Sequence, residues 1–294
     1  MTFKGKLTVL ILISCSAFLF SCSKNDKTEA LTKLAEENQK NEIKAITTPP
    51  PDKPTGKYET KNFQKTYNNC KPKADSCTYI QITFQLLNQG AQSTKINKSI
   101  TDTIIKYSFS FDEKPKKTIE ESMDSFIKEY DGYKKDMQTT GNGEYIMNWY
   151  DEETGKVVYD NSSVLSYEMH SEAFTGGAHG SYYTNYYNFD QTTGQTLTYN
   201  DIFEKGSGKA LDKLIEKKYR QSKELRSNDK LTDGGLFENH IEHNDNIMIF
   251  KDGIKFYYNV YEISSYAAGP TELIFSWGEL GDLISKNFKS KINI

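Results

Sequence analysis

The segment from Glu172 to Phe203, EAFTGGAHGSYYTNYYNFDQTTGQTLTYNDIF, contains residues whose types and spacing could do chemistry. Gly176 and Gly177 stand just before His179, and such a loop could hold an anion on its backbone N–H groups while the imidazole acts as a base. A phosphate loop, however, lies between a strand and a helix and usually carries a lysine, whereas a tyrosine-rich segment follows here. We therefore favour the alternative, in which both glycines adopt positive φ at a bulge or sheet corner and His179 bonds to neighbouring backbone.

The tyrosine rings are the second chemical feature, and they are concentrated in two segments of the chain. In strands, about half of them would lie on each face of a sheet. One set could then form core, and the other could offer rigid rings and hydroxyls to a protein or a sugar. The alternative is that all of them simply cover the sheet. The two groups are Tyr182, Tyr183, Tyr186 and Tyr187, and Tyr257, Tyr258, Tyr261 and Tyr266.

A tight loop, SSYAAGP, ends the second tyrosine group, with a glycine and a proline as its turn residues. Loops on rigid scaffolds often carry binding residues. The loop, the glycine segment and the tyrosines together give the candidate binding residues Gly176, Gly177, His179, Tyr182, Tyr183, Tyr266, Gly269 and Pro270.

Other chemistries find less support in the sequence. His240 and His243 could share one face of a helix and bind a metal with Glu238 or Glu242, but their acidic, asparagine-rich surroundings are typical of a solvated connection. No serine stands in a Gly-x-Ser-x-Gly elbow, and a linear sequence cannot show two carboxylates flanking a glycosidic bond. No metal, cofactor or catalytic residue is predicted. With 37 basic and 40 acidic residues and no basic stripe, no nucleic-acid partner is expected.

The N-terminus predicts export and lipidation. Lys4 and Lys6 precede an apolar run, Leu7–Phe20, which is too short to span a bilayer and typical of a secretory signal. The run ends in LFSC, which resembles a bacterial lipobox, so residues 1–21 are interpreted as a lipoprotein signal peptide and Cys22 as the lipidated residue. Acyl chains such as palmitate would then anchor the protein. An ordinary cleaved signal is the alternative.

Cys70 and Cys77 are the cysteines that follow this leader. An even pair in an oxidising compartment predicts a disulfide. Zinc binding is the alternative, but two thiols without a nearby histidine make a poor zinc site.

The remaining chain predicts a tether and two domains. Residues 22–57 are polar, contain the run TTPPPDKPTGK and indicate a flexible, proline-containing tether. Residues 58–173 and 174–294 mix strand and helix patterns without a strict alternation. This mixture predicts an α+β fold of two adjoining domains, with mainly antiparallel sheets and packed helices.

Individual elements follow from the spacing of apolar residues. TYIQITFQLL alternates as a half-buried strand, and isoleucines at every fourth position predict a helix over about 94–108. Thr118 caps a further helix, which Gly132 ends. The segment EYIMNWYDEETGKVVYD predicts two strands that turn at residues 153–155. A helix over about 209–225 and a hairpin turning at the Asp-Gly of NIMIFKDGIKFYYNVYEI complete the pattern.

Two motif clusters carry a family resemblance: FTGGAHGSYYTNYYNFDQTTGQTLTYNDIF and KDGIKFYYNVYEISSYAAGPTELIFSWGEL. Together they resemble a bacterial exported domain of unknown function. That domain forms the extracellular part of the anti-sigma-V factor, which senses lysozyme by binding it, and also a non-catalytic region of peptidoglycan deacetylases. Residues 58–173 resemble its usual N-terminal companion domain.

The resemblance also has departures. The chain has neither the sigma-binding segment nor the membrane-spanning helix of the anti-sigma factor, so control of a sigma factor is not expected. The deacetylase relatives owe their chemistry to another domain, whose aspartate motif the fragment SFSFDEKP does not match. The resemblance therefore implies binding of a lysozyme-like protein, and no deacetylase activity.

The combined expectation is a non-enzymatic, lipid-anchored protein of the cell envelope, with the membrane leaflet left open. It would bind a lysozyme-like protein or a cell-wall glycan through an aromatic face, and its acidic balance would assist approach of a basic lysozyme. The alternatives are an envelope polysaccharide or peptidoglycan hydrolase or deacetylase, and a structural lipoprotein without a small ligand.

Overall fold

A computed structural model of the chain describes residues 56–74, 76–108 and 114–294. The interpreted signal peptide (1–21), Cys22 and all but the last two residues of the tether (22–57) lie outside the described residues. Residues 54–294 form one compact unit. Within the described residues, no helix is both long enough and apolar enough to cross a membrane.

Strands and helices are mixed along the chain, as the alternating sequence patterns predict. The strands are β1 (Tyr58–Thr66), β2 (Tyr79–Leu87), β3 (Tyr150–Asp160), β4 (Val164–Phe174), β5 (Ser181–Asp190), β6 (Ile247–Phe250), β7 (Gly253–Tyr258) and β8 (Thr271–Ser276). The helices are α1 (Ser93–Tyr107), α2 (Ile119–Thr139), α3 (Tyr199–Ile202), α4 (Gly208–Ser222), α5 (Trp277–Leu280) and α6 (Lys286–Ile292). Short 3-10 turns lie at Tyr67–Asn69, Gly143–Tyr145, Leu231–Gly234, Tyr266–Ala268 and Gly281–Leu283.

Two sheets organise these elements. In the described part, β1–β5 form a five-stranded sheet in the order β1-β2-β3-β4-β5, and β6-β7-β8 form a three-stranded sheet. Every neighbouring pair is antiparallel except β2 and β3, which are parallel because the chain crosses back through α1 and α2 between them. The α+β prediction with mainly antiparallel sheets is confirmed.

The five-stranded sheet extends past the predicted domain boundary. Residues 173 and 174 both lie in β4, and β5 pairs with β4 along its length. Consequently β5, which was placed in the domain 174–294, completes the sheet of the preceding domain. The physical reason is that a short loop, residues 175–180, joins β4 to β5, so the two strands are neighbours in space as well as in sequence.

One face of the five-stranded sheet is covered by helices. Ile80, Ile82 and Phe84 of β2 are buried in a core with the isoleucines of α1 and with Phe126 of α2. The predicted helix start at Thr118 is confirmed, since its side chain accepts a hydrogen bond from the Glu121 N–H.

Two local predictions are wrong. Gly132 does not end α2, because the buried face of the helix continues past it and a glycine costs a helix interior only about 1 kcal/mol. Residues 153–155 do not turn, because β3 runs through them as one strand. A Cβ on Gly155 would lie 2.5 Å from Tyr167 Oη and 2.9 Å from Phe84 Cβ. This glycine therefore permits close packing within the sheet.

Asparagine side chains join the two sheets. Asn188 of β5 is 4% exposed; its side-chain amide donates to Ile247 O at 2.6 Å and accepts from Ile249 N at 3.1 Å. Ser166 donates from the same face of β4 to Ile249 O at 2.7 Å. The backbone of β6 is thus bonded by side chains of the larger sheet.

Two more asparagines occupy the outer edge of β5, which has no strand beside it in the five-stranded sheet. Asn246 accepts from Tyr186 N at 2.8 Å and donates to Thr184 O at 2.8 Å. Asn259 accepts from Thr184 N at 2.7 Å and donates to the same carbonyl at 3.1 Å. Amide side chains therefore satisfy backbone groups that a sixth strand would otherwise bond.

Replacing Asn188 tests this junction. The substitution Asn188→Ala leaves the Ile247 carbonyl and the Ile249 N–H buried without their partner, so we expect the free energy of unfolding to fall by roughly 2–4 kcal/mol. Urea unfolding of the protein measures the change. Asn228→Ala is the matched control, because Asn228 is exposed in a turn and should change the value by less than about 0.5 kcal/mol. Equal effects of both substitutions would contradict the role of the junction.

A capping box at the start of α5 connects the three-stranded sheet to α4. Ser276 Oγ accepts from Glu279 N at 3.3 Å, and the Glu279 carboxylate accepts from Ser276 N at 2.9 Å. Lys218 of α4 also contacts this carboxylate. Chiefly through the hydrogen bond from Lys218, the pKa of Glu279 is lowered to about 2.

This lowered pKa predicts a pH dependence of stability. Because the folded-state pKa lies below the ordinary value of 4.5, the contribution of Glu279 is present above pH 4.5 and is lost as the pH falls towards about 2. Glu279→Gln should reduce the free energy of unfolding by roughly 1 kcal/mol or less at neutral pH. In urea unfolding, the difference in free energy of unfolding between the wild type and Glu279→Gln should become smaller at acidic pH. The control Glu144→Gln, at an exposed turn, should show a difference that does not change with pH; a pH-independent deficit for Glu279→Gln would argue against this explanation.

Candidate functional site

The face of the five-stranded sheet opposite α1 and α2 is covered by β6 at Ser166 and Asn188, and we call the rest of it the open face. Strand register brings a row of chemical groups together on it. Tyr79 pairs with Tyr150, Glu152 pairs with Glu172, and Glu172 pairs with Tyr182. The row therefore crosses from β2 to β5, with two facing rings followed by two facing carboxylates and a third ring.

A ring cluster lies where the β4–β5 loop meets the loop between β7 and β8; its members are His179, Tyr182, Tyr261 and Tyr266. Tyr266 is central to it. The His179 ring stacks on it at 4.0 Å, and the rings of Tyr182 and Tyr261 lie 5.6 and 5.7 Å from it. Tyr261 Oη also lies 3.3 Å from His179 Nε2. The structure thus brings together three of the predicted candidates, His179, Tyr182 and Tyr266.

The glycine segment shapes this cluster and does not form an anion cradle. Gly176 and Gly177 have φ of 100° and 99°, which confirms the positive-φ interpretation. His179 Nδ1 lies 2.7 Å from Gly180 O, as that interpretation expected. A Cβ on Gly180 would lie 3.0 Å from Ala173 O, so glycine permits the close return of the chain into β5. A strand, and not a helix, follows the loop.

The second loop holds its tyrosines in an unusual backbone conformation. Tyr261 has φ of 64° and its side chain is 53% exposed. A bulky residue in the left-handed region costs about 1–3 kcal/mol and requires support from its surroundings. Asn259 and Ser264 supply it, since Glu262 accepts from Asn259 N at 2.8 Å and Ser264 O accepts from Tyr261 N at 3.1 Å. The fold therefore maintains an exposed ring at a conformational cost.

Gly269 and Pro270 end the same loop. Gly269 has φ of 69° and follows the 3-10 turn at Tyr266–Ala268, as its prediction as a turn residue expected. Pro270 is exposed and leads into β8. Gly269 N donates to Tyr266 O at 3.0 Å, which closes the turn that carries Tyr266.

A cleft of about 500 Å³ continues the site along the row. Tyr79 Oη donates to Glu152 at 2.6 Å, and Tyr150 Oη donates to Glu172 at 3.1 Å. The Tyr150 ring stacks between Tyr79 and Phe174, at centroid distances of 6.1 and 6.3 Å. The lining residues are Lys73, Ala74, Cys77, Tyr79, Asn148, Tyr150, Glu152, Glu172 and Phe174.

A disulfide closes one end of the cleft. Cys70 and Cys77 are bonded, which confirms the predicted pair. The short loop between them carries Lys73, whose Nζ lies 3.2 Å from Glu152 Oε1. The disulfide therefore restricts the loop that carries Lys73 and keeps its ammonium group beside the cleft.

Burial sets the protonation of the hydroxyls and of one histidine on this face. Burial, together with the bond to Glu152, raises the pKa of Tyr79 far above its ordinary value. Burial and the charge of Glu172 raise the pKa of Tyr150 to about 12. Both hydroxyls are therefore hydrogen-bond donors near neutral pH. Burial lowers the pKa of His170, whose Nδ1 lies 2.9 Å from Thr184 Oγ1, and so favours its neutral form.

The remaining predicted residues lie elsewhere. Tyr183 is on the opposite face of β5 from Tyr182 and is 45% exposed. His243 lies 2.6 Å from Asp212 and stacks on Tyr199, while His240 is exposed. Among the described residues, no group of three histidines, cysteines, aspartates or glutamates could hold a metal ion.

Sequence reasoning missed the residues of the cleft, among them Tyr150, Glu152 and Glu172. The alternation of β3 carries the signal for the first two, since Tyr150 and Glu152 are two positions apart on one face. The predicted turn at residues 153–155 interrupts this alternation, so the pattern does not identify the two residues as neighbours on one strand. Glu172 could be found only by pairing β3 with β4 in the observed register.

Two segments of the chain match models of known protein families. Residues 200–278 match the family model described as a protein of unknown function, DUF3298, and residues 73–182 match the model described as deacetylase PdaC. The unmatched interval between them, 183–199, contains most of β5. No curated protein matches the chain.

Solved structures share the fold. A DUF3298 family member from Bacteroides fragilis matches with a TM-score of 0.67 and 24% identity, covering 80% of this chain and 96% of its own. A DUF3298 family protein from Pseudomonas aeruginosa matches with a TM-score of 0.59 and 15% identity, covering 79% of this chain and 95% of its own. The resemblance drawn from the two motif clusters is confirmed: residues 200–278 match the DUF3298 model, and a region that matches the deacetylase PdaC model precedes them.

Proposed function

We propose that this protein is a non-enzymatic binding module of the bacterial cell envelope, and that its open face binds a cell-wall glycan. The observation that carries the proposal is the ring cluster beside the 500 Å³ cleft, where Tyr182 of the cluster is the register partner of Glu172 in the cleft. Sugar rings present C–H faces that pack on aromatic rings, and hydroxyls that hydrogen-bond to carboxylates. A cleft of this volume lies within the usual range for ligand sites.

Conformational strain supports a binding role for the cluster. Tyr261 is held exposed in the left-handed region, and strained residues of this kind concentrate at functional sites. Its ring adjoins Tyr266 and His179, so the strain maintains a continuous aromatic surface. A tyrosine that merely covered the sheet would have no need of this conformation.

The proposed location follows from the sequence. Lipid on Cys22 would hold the chain at a membrane, and the tether of residues 22–57 would let the module reach the wall. The match of residues 73–182 to a model named for a deacetylase supports an envelope setting.

A lysozyme-like protein is a second candidate ligand. The resemblance to the extracellular domain of the anti-sigma-V factor implies it, and the formal charge of −3 would favour a basic partner. Exposed tyrosines suit protein contacts as well as sugars.

Hydrolysis is a less favoured role for the same face. Glu152 and Glu172 face each other on adjacent strands, and a pair of carboxylates is what glycoside hydrolysis requires. Both side chains, however, rise from one face of a sheet and would approach a bound sugar from the same side. The acid and the nucleophile or base of a glycosidase must instead flank the scissile bond.

Substitution of single rings tests glycan binding. Tyr182→Ala and Tyr266→Ala each remove part of the stacking surface, so affinity should fall about tenfold or more. Co-sedimentation with purified peptidoglycan and calorimetry with soluble wall fragments would measure it. Tyr183→Ala is the matched control, because it changes a neighbouring tyrosine on the other face of β5 and should leave affinity unchanged.

The same measurements distinguish the alternatives. Equal losses for Tyr182→Ala and Tyr183→Ala, with both variants folded by circular dichroism, would count against the open face as the binding surface. Binding of lysozyme without binding of glycan would favour the second candidate. Release of reducing ends from peptidoglycan, abolished by Glu172→Gln, would favour hydrolysis.

A further inference from the structure

Two like charges face each other in the cleft. Glu152 and Glu172 are register partners on adjacent antiparallel strands. Like charges directly opposite each other destabilise a sheet. The arrangement has an energetic cost, which Lys73 relieves at Glu152 and which a second cation would relieve at Glu172.

The two carboxylates differ in their present contacts. Lys73 Nζ lies 3.2 and 3.3 Å from the two oxygens of Glu152, so this carboxylate already has an ammonium partner. Glu172 accepts from Tyr150 Oη through Oε1. Within the described residues, no lysine or arginine forms an ion pair with Glu172. The hydrogen bond from Tyr150 fixes the Glu172 side chain and leaves its second carboxylate oxygen able to accept a hydrogen bond from a ligand.

Aromatic rings complete the surroundings of Glu172. The rings of Tyr150 and Phe174 lie 6.3 Å apart and line the same cleft. Ring faces attract cations, and an ammonium group that is also bonded to a carboxylate benefits from both interactions. Lys73 shows that an ammonium fits beside the neighbouring carboxylate.

We propose that the cleft selects ligands that carry a primary ammonium group, and that Glu172 binds this group. This inference rests on the proposed glycan-binding role and narrows it to hexosamine sugars with an unmodified amine. An N-acetylated sugar can stack on the ring cluster equally well, but its neutral amide cannot relieve the charge of Glu172. The ring cluster then supplies affinity, and Glu172 supplies the preference for the amine.

Calorimetry with two matched oligosaccharides tests the preference. The probes are a glucosamine oligomer and an N-acetylglucosamine oligomer of equal length, titrated into the full protein at mildly acidic pH, where the amine is protonated and glutamates are ionised. The wild-type protein should bind the glucosamine oligomer about tenfold more tightly. Glu172→Gln should abolish this ratio, because a neutral amide can still hydrogen-bond to sugar hydroxyls but cannot neutralise an ammonium group.

Two further variants keep the result interpretable. Glu120→Gln, an exposed carboxylate at the start of α2, should retain the ratio and so exclude a general charge effect. Lys73→Ala should maintain or increase affinity for the amine, because it removes a competing ammonium. Loss of amine binding in Lys73→Ala would instead indicate an anionic ligand group and overturn the inference.

The outcomes separate the inference from the proposed function. Equal affinity for both oligomers, lost in Tyr182→Ala, would refute selection of the amine while retaining glycan binding. Binding of neither oligomer would refute both. A thermal melt of Glu172→Gln checks folding, and its stability should equal or exceed that of the wild type, because one of two facing charges is removed.

Discussion

The edge of β5 is the constraint on which the rest of the structure depends. Its outer backbone groups have no partner strand in the five-stranded sheet, and unpaired buried amides and carbonyls are costly. Asn246 and Asn259, which flank the β6–β7 hairpin, supply the missing donors and acceptors. Asn188 completes the junction by bonding the backbone of β6. The smaller sheet is thus attached by directional bonds, which fix its position more closely than apolar packing alone would.

This attachment determines where the ring cluster forms. His179 and Tyr182 belong to the β4–β5 hairpin, whereas Tyr261 and Tyr266 belong to the segment after β7. Asn259 connects the two, because its side chain bonds β5 and its backbone begins the loop that holds Tyr261. The stacking of His179 on Tyr266 at 4.0 Å is therefore a consequence of the junction as well as of the rings. Strain at Tyr261 is tolerated because the surrounding hydrogen bonds fix the loop.

Local signals in the sequence were sufficient for the helices, the disulfide and the character of the glycine loop. The isoleucines of α1 and the cap at Thr118 act within a few residues, so their spacing identifies both helices. The site required non-local information. Gly155 resembles a turn signal until Tyr167 and Phe84 are known to pack against it. Likewise, the predicted boundary at residues 173 and 174 lies where the resemblance to the exported domain begins. The bonds that join β5 to the smaller sheet come from Asn246 and Asn259, which are 60 and 75 positions away from their partners.

The position of β5 also explains why two family models match separate segments of one continuous unit. Residues 73–182 end as β5 begins, and residues 200–278 start after it. The interval between them contains a strand that pairs with β4 on one side and is bonded by asparagines of the second segment on the other. Neither matched segment can therefore satisfy the backbone of β5 alone. The ring cluster contains residues of both segments, whereas Glu152 and Glu172 belong to the first. A surface that combines these rings and carboxylates therefore requires the two segments together.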